Sequence, residues 1–117
     1  MAKHDTSLDT LFSALGDATR RAILTRLARG PATVSELAAP HEMALPSFMG
    51  HLKRLEQAGL VETHKDGRTR HCRLSPGAFA PAQGWLDAQR ALWDGRLDRF
   101  DNYVTALMKE KQNEPRS

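Results

Sequence analysis

The chain is 117 residues long, 40% hydrophobic and 26% charged, with a formal charge of +3; that balance excludes a disordered polymer and fits one domain with at most an appended helix. Its single cysteine excludes an intramolecular disulfide, and no apolar run approaches the length that crosses a membrane. The start, MAKHDTSLDTLF, lacks the charged-then-apolar build of a secretory signal, so a cytoplasmic protein is expected, and its mild basicity permits nucleic-acid binding without requiring it.

Residues 1–7 are expected to be a flexible start. SLDTLFSALG (7–16) then places Leu8, Leu11, Phe12 and Leu15 at helical spacing and ends in glycine. In GDATRRAILTRLARG (16–30), Asp17 is a plausible N-cap, Ile23, Leu24 and Leu27 form a stripe, and Gly30-Pro31 stops the helix. PATVSELAAP follows, with Thr33 and Glu36 at capping-box spacing and Pro40 keeping the helix short. LPSFMGHLKRLEQAGL (45–60) puts Leu45, Phe48, Leu52 and Leu55 on one face and closes at Gly59. LVETHKDGRTRHCRL (60–74) changes period, with two strand-like runs around Asp66-Gly67 predicting a hairpin. A long helix is expected from about residue 82 to 109, carrying Leu86, Trp93, Leu97, Phe100, Val104 and Leu107 on one face, ahead of a disordered tail over 110–117.

The order is helix, helix, short helix, helix, basic hairpin, long helix. That predicts a mainly α protein with a small β-hairpin: a winged helix-turn-helix domain over 8–109, including a C-terminal dimerisation helix. In helix-turn-helix proteins the second helix of the pair enters the major groove. Here that helix is about 45–58, with the wing at 61–74.

The outer face of that helix is small at one end and basic at the other. Between residues 45 and 74 stand Lys53, Arg54, Lys65, Arg68, Arg70 and Arg73 against Glu56, Glu62 and Asp66, with His51, His64 and His71 as further donors. Ser47, Gly50, His51, Lys53 and Arg54 are the candidate contacts of the helix, and Lys65, Arg68 and Arg70 those of the wing on backbone or minor groove. A solvated hairpin, charged to discourage edge pairing, is the plainer reading of the wing. Gly50 costs a helix about 1 kcal/mol relative to alanine. Its use would be close approach to DNA, and its alternative a tolerated surface substitution.

ALGDATRRAILTRLARG, VSELAAPHEMALPSFMGHLKRLEQAGLV, the DGRTRHCRL wing and the tryptophan-bearing last helix together resemble the ArsR-type (arsenical-repressor-like) transcriptional regulators, over about residues 8 to 108. No single motif is unique, but the ordered set is specific. The resemblance implies a homodimeric repressor whose first and last helices build the dimer interface, and many such proteins release DNA when a metal ion or other signal binds. The chain departs from the pattern at three places. Relatives commonly have a serine at Ala44, a serine-lysine pair at Met49-Gly50 and an aromatic at Cys72.

Metal sensing in that family uses cysteines on the helix before the recognition helix, or carboxylates and histidines on the last helix. The first place reads SELAAPHEM, without cysteine; the last helix has Asp87, Asp94, Asp98 and Asp101 but no histidine. Asp94 and Asp98 beside Arg90 and Arg99 read as a salt-bridged surface. No metal and no cofactor are therefore expected, and an unidentified small-molecule effector stays open, for instance an apolar one near Trp85 or Trp93. Cys72 is either a small half-buried strand residue or, beside His71 and Arg73, a redox candidate. The apolar stripe of the last helix exceeds what a small domain can cover, so Trp93, Leu97, Phe100 and Val104 are expected to pair with Leu8, Leu11 and Phe12 of a second copy. Two-fold symmetry then predicts a palindromic double-stranded DNA site, its half-sites about one helical turn apart. A winged-helix protein-interaction module without specific DNA binding is the alternative. An enzyme is the weakest reading, since no phosphate loop, ligand cluster or nucleophile–base pair is visible.

Overall fold

The computed structural model describes residues 6–112, so most of the expected flexible start and most of the expected tail lie outside the described residues. The chain runs α1 (Thr6–Leu15), α2 (Ala18–Leu27), β1 (Ala32–Thr33), α3 (Val34–Ala38), α4 (Leu45–Gln57), β2 (Val61–Asp66), β3 (Thr69–Leu74) and α5 (Ala80–Gln112). Helix α1 thus begins two residues before the expected domain start at residue 8, and α5 continues past residue 109. The chain divides after Ala82 into two compact units, a head and the remainder of α5.

In the head, local chemistry sets the helix ends. Asp17 takes an extended conformation, and its Oδ2 accepts from the backbone N–H of Arg20 at 3.1 Å, opening α2. Thr33 and Glu36 close a reciprocal box: Thr33 Oγ1 accepts from Glu36 N at 3.2 Å, and Glu36 Oε1 accepts from Thr33 N at 3.0 Å. The N–H of Thr33 is the main cause holding the Glu36 carboxyl below its ordinary range. Helix α4 has no side-chain cap at Ala44 and starts instead on Pro46, whose fixed φ suits a first turn. It ends in a Schellman motif: Gly59 has φ +74°, Gly59 N donates to Glu56 O, and Leu60 N donates to Leu55 O, both at 3.0 Å.

The core gathers Leu11, Ile23, Leu24, Leu27, Leu37, Phe48, Leu52, Leu55, Leu60, Val61 and Cys72. Three members of the expected α4 stripe are buried, but Leu45 is 59% exposed. Spacing decides which face of a helix a residue occupies, not whether another element reaches its turn. Leu11 also departs from expectation, because it is buried within its own head and is not available to a second copy.

The sheet is antiparallel and three-stranded, in the order β1-β3-β2. Strand β1 escapes the sequence reading because two residues show no alternation; it pairs Ala32 with Cys72 and Thr33 with His71. Asp66 pairs with Thr69, so the hairpin loop is Gly67-Arg68, one residue later than expected. Gly67 has φ +62° and Arg68 does not have positive φ, which suits a type II′ turn and sets Arg68 at its tip.

Cys72 faces the core and is fully buried. Burial, aided by the charge of Glu56 and opposed by Arg70, pushes its thiol up to about 11. Neighbours in sequence, His71 and Arg73, point to the other face of the strand, so the activation that a redox role requires does not operate. The reactive-thiol reading gives way to the structural one.

Helix α5, taken by itself, spans 33 residues, or about 50 Å at 1.5 Å each. Trp93 is 57% and Phe100 62% exposed; Leu97, Leu92, Tyr103 and Met108 are also exposed, and Val104 is half-buried. Among the described residues the ion pairs between charged side chains are Arg26–Glu36 and Arg73–Glu62, both in the head, where His51 Nδ1 also stands 3.7 Å from Asp17 Oδ2. The expected pairing of Asp94 and Asp98 with Arg90 and Arg99 is therefore absent. All four side chains are exposed, and exposed pairs gain little.

Replacing Leu52 by alanine should cost about 3 kcal/mol in urea unfolding, while Leu45→Ala should stay within about 0.5 kcal/mol. Cys72 adds a pH signature. An unfolded thiol loses its proton near 9.0 and the folded one near 11, so its contribution to stability is whole below 9.0 and lost as pH rises to about 11. The decline across that window should be shallower in Cys72→Ala than in the wild type.

Candidate nucleic-acid interface

Helix α4 divides its circumference three ways. Phe48, Leu52 and Leu55 are buried. At 100° per residue, Ser47, His51 and Arg54 lie along the flank toward α1 and α2, whereas Met49, Lys53 and Glu56 lie along the flank toward the hairpin. Pro46, Gly50 and Gln57 form the exposed crest between them. A Cβ built on Gly50 would meet nothing within 4 Å. The fold of the head thus places no steric demand for glycine there.

On the hairpin side, Met49 joins Thr33, Val34, Ser35, Arg68, Thr69 and Arg70 around a cleft of about 420 Å³. Two guanidinium-bearing residues and three hydroxyl-bearing residues converge there, a donor set that suits phosphate oxygens. Thr33, Ser35 and Thr69 were not among the sequence candidates. Ser35 could have been found, since it sits in the first turn of the first helix of the helix-turn-helix pair, the helix that crosses the DNA backbone in such motifs.

Arg70 is fixed from behind. Its Nη1 donates to Thr63 Oγ1 at 2.8 Å, and Thr63 Oγ1 donates to Glu56 Oε1 at 3.2 Å, tying hairpin to α4. Arg73 is committed elsewhere, donating from Nη2 to both oxygens of Glu62 at 3.2 Å across the strand pair. Lys53, Arg54, Lys65 and Arg68 are exposed, and among the described residues none makes an ion pair. They leave a net positive surface on α4 and the wing, with His64 and His71 directly opposed across the strands.

On the other flank Arg54 shares a cleft of about 430 Å³ with Asp9, Thr10, Ser13, Ala14 and Gln57. His51 is not a simple outward contact: it is half-buried, and its Nδ1 lies 2.9 Å from Arg20 Nη1. The structure therefore brings Arg68 and Arg70 together beside α4 and turns one nitrogen of His51 inward. Among the described residues no three His, Cys, Asp or Glu side chains are placed to hold a metal ion, and no helix is long and apolar enough to cross a membrane.

A helix-turn-helix domain model matches residues 15–64, from the end of α1 into β2. The HTH-type transcriptional regulator Rv2034 of Mycobacterium tuberculosis is 42% identical over 81 residues, covering 69% of this chain and 76% of that protein. The transcriptional repressor SdpR of Bacillus subtilis is 29% identical over 79 residues, 68% of this chain and 88% of that one. Among solved structures, the crystal structure of an ArsR family transcriptional regulator is 52% identical and superposes with a TM-score of 0.75, covering 80% of this chain and 97% of that chain. With α3 and α4 forming the helix pair, a basic β-hairpin after them and a long final helix, the chain belongs to the ArsR family of winged helix-turn-helix transcriptional regulators.

Proposed function

We propose that the protein is a homodimeric repressor that acts in the cytoplasm by binding a palindromic operator, not by catalysis. Helix α4 lies in the major groove, with Ser47, Gly50, Lys53 and Arg54 on or beside the bases. Lys65 and Arg68 meet backbone or minor groove, and Arg70 with Ser35 and Thr69 receives a phosphate in the cleft beside Met49. The carrying observation is that cleft: it joins the wing arginines to the first turn of α3 and to Met49 of α4. A name given to a relative, transcriptional repressor, supports the sign of the regulation.

The second copy is argued from α5. A helix exposing Trp93, Leu97 and Phe100 along one face needs a cover, since contiguous apolar patches of that kind are uncommon on monomers. An identical helix is the simplest one, and Leu8, Phe12 and Val104 complete the set offered for it. Leu11 is left out, because the core of its own head occupies it.

Fluorescence anisotropy against DNA from upstream of the protein's own gene, with scrambled DNA beside it, should show tighter binding to the upstream fragment by two chains per site. The affinity should fall steeply with salt, and Lys65→Ala or Arg68→Ala should weaken both DNAs while reducing the salt slope by about 1. Absence of binding to either DNA at low salt would overturn the reading. Gly50→Ala separates stability from function: the free protein should gain about 1 kcal/mol, and operator affinity should fall. Phe100→Glu or Trp93→Glu should convert the dimer to monomer in sedimentation velocity and weaken operator binding with it.

A further inference from the structure

Arg20 is the buried charged side chain among the described residues, only 7% exposed, and each of its three guanidinium nitrogens has a partner. Nε donates to Ala14 O at 2.8 Å and Nη2 to Ser13 O at 3.1 Å, both in the last turn of α1. Helix C-termini leave such carbonyls short of partners, so a cation suits them. Nη1 reaches the other way, to His51 Nδ1 in the middle of α4, at 2.9 Å. One side chain of α2 thereby ties the end of α1 to the helix proposed to read DNA.

That contact has a chemical consequence. A guanidinium has donors only and keeps its charge in proteins, so His51 Nδ1 must accept. With Nδ1 accepting, the tautomer that fits the contact carries its hydrogen on Nε2. Among the described residues no buried side-chain nitrogen or oxygen lacks a partner, and Nε2 has no hydrogen bond within the protein, so Nε2 faces solvent. It lies on the same flank of α4 as Ser47 and Arg54. Asp17 Oδ2, which caps α2, stands 3.7 Å from Nδ1, beyond hydrogen-bond distance.

We propose that Arg20 is a positioning residue for DNA recognition: its bridge from Ser13 and Ala14 to His51 sets α4 against α1 and holds the imidazole with Nε2–H outward, as a donor to an acceptor on the DNA. This rests on the reading that α4 meets DNA. The acceptor is a phosphate oxygen or a base-edge oxygen or nitrogen, which offer the donor the same chemistry.

Two measurements test it. Nitrogen-15 spectra of the imidazole at about pH 8, above the ordinary histidine range, should show His51 as the Nε2–H tautomer, and Arg20→Met should release it to a mixture. A capping role alone would not fix a tautomer, so a wild-type ring that populates Nδ1–H overturns the proposal. His51→Asn is the second variant, because its side-chain oxygen can still accept from Arg20 while it lacks a donor at the outer position. It should fold as the wild type does and bind the operator about tenfold more weakly, the loss of one hydrogen bond. An equal loss on scrambled DNA assigns the acceptor to phosphate, and a loss confined to the operator assigns it to a base. If His51→Asn matches a wild type that binds, the outward donor is wrong although DNA binding stands. If the wild type binds no DNA, the underlying reading fails and the donor role fails with it, whatever the tautomer.

Discussion

The burial of Phe48, Leu52 and Leu55 against α1 and α2 is the interaction on which the rest depends. Those side chains are at most 1% exposed, and their removal from water orients the whole of α4. A helix has one circumference, and an orientation settled on one side settles the other. With the leucines inward, Pro46, Gly50 and Gln57 are outward, Arg54 and His51 turn toward α1 and α2, and Met49 and Glu56 turn toward the hairpin. The reading surface is thus the remainder left by core packing. Its precision is that of the core, because well-packed side chains leave few alternative dockings.

Polar contacts then sort the charges by task. Glu36, Glu62 and Glu56 each meet a group of the head: Thr33, Arg73 and Thr63. Lys53, Lys65 and Arg68 do not. Counting basic residues would give Arg73 and Arg68 equal weight, but a cation held against both oxygens of a carboxylate brings little to a phosphate. Arg70 is intermediate, anchored through one nitrogen to Thr63 while it lines the cleft. Arg20 differs from all of these, since it is buried and in the proposed role acts through the imidazole it faces.

Helix α5 illustrates the opposite limit. Its apolar residues repeat at helical spacing as a core-facing helix would, but they are exposed on the single chain. Hydrophobic periodicity reports that a face wants covering without saying by what. The same limitation appears at Leu45, which belongs to the α4 stripe by spacing and to solvent by position. Leu11 shows the reverse, a residue assigned to a partner by pattern and occupied within its own head.

Local signals were legible because their physics is local. Caps at Asp17 and Thr33, the stop at Gly59 and the basic hairpin depend on groups a few residues apart, so the sequence by itself determined the order of the helices and the hairpin, the winged helix-turn-helix class and the face of α4 that would be exposed. Strand β1, the loop at Gly67-Arg68, the cleft joining Ser35 to Arg68 and Arg70, the burial that silences Cys72, and the Arg20–His51 contact were decided only by tertiary structure. Each joins residues through pairing or packing, where a one-residue shift of register or a turn of helix changes the partner. His51 stands 31 positions from Arg20. No periodicity in the chain marks that distance; the packing of α4 on α1 and α2 brings the two together.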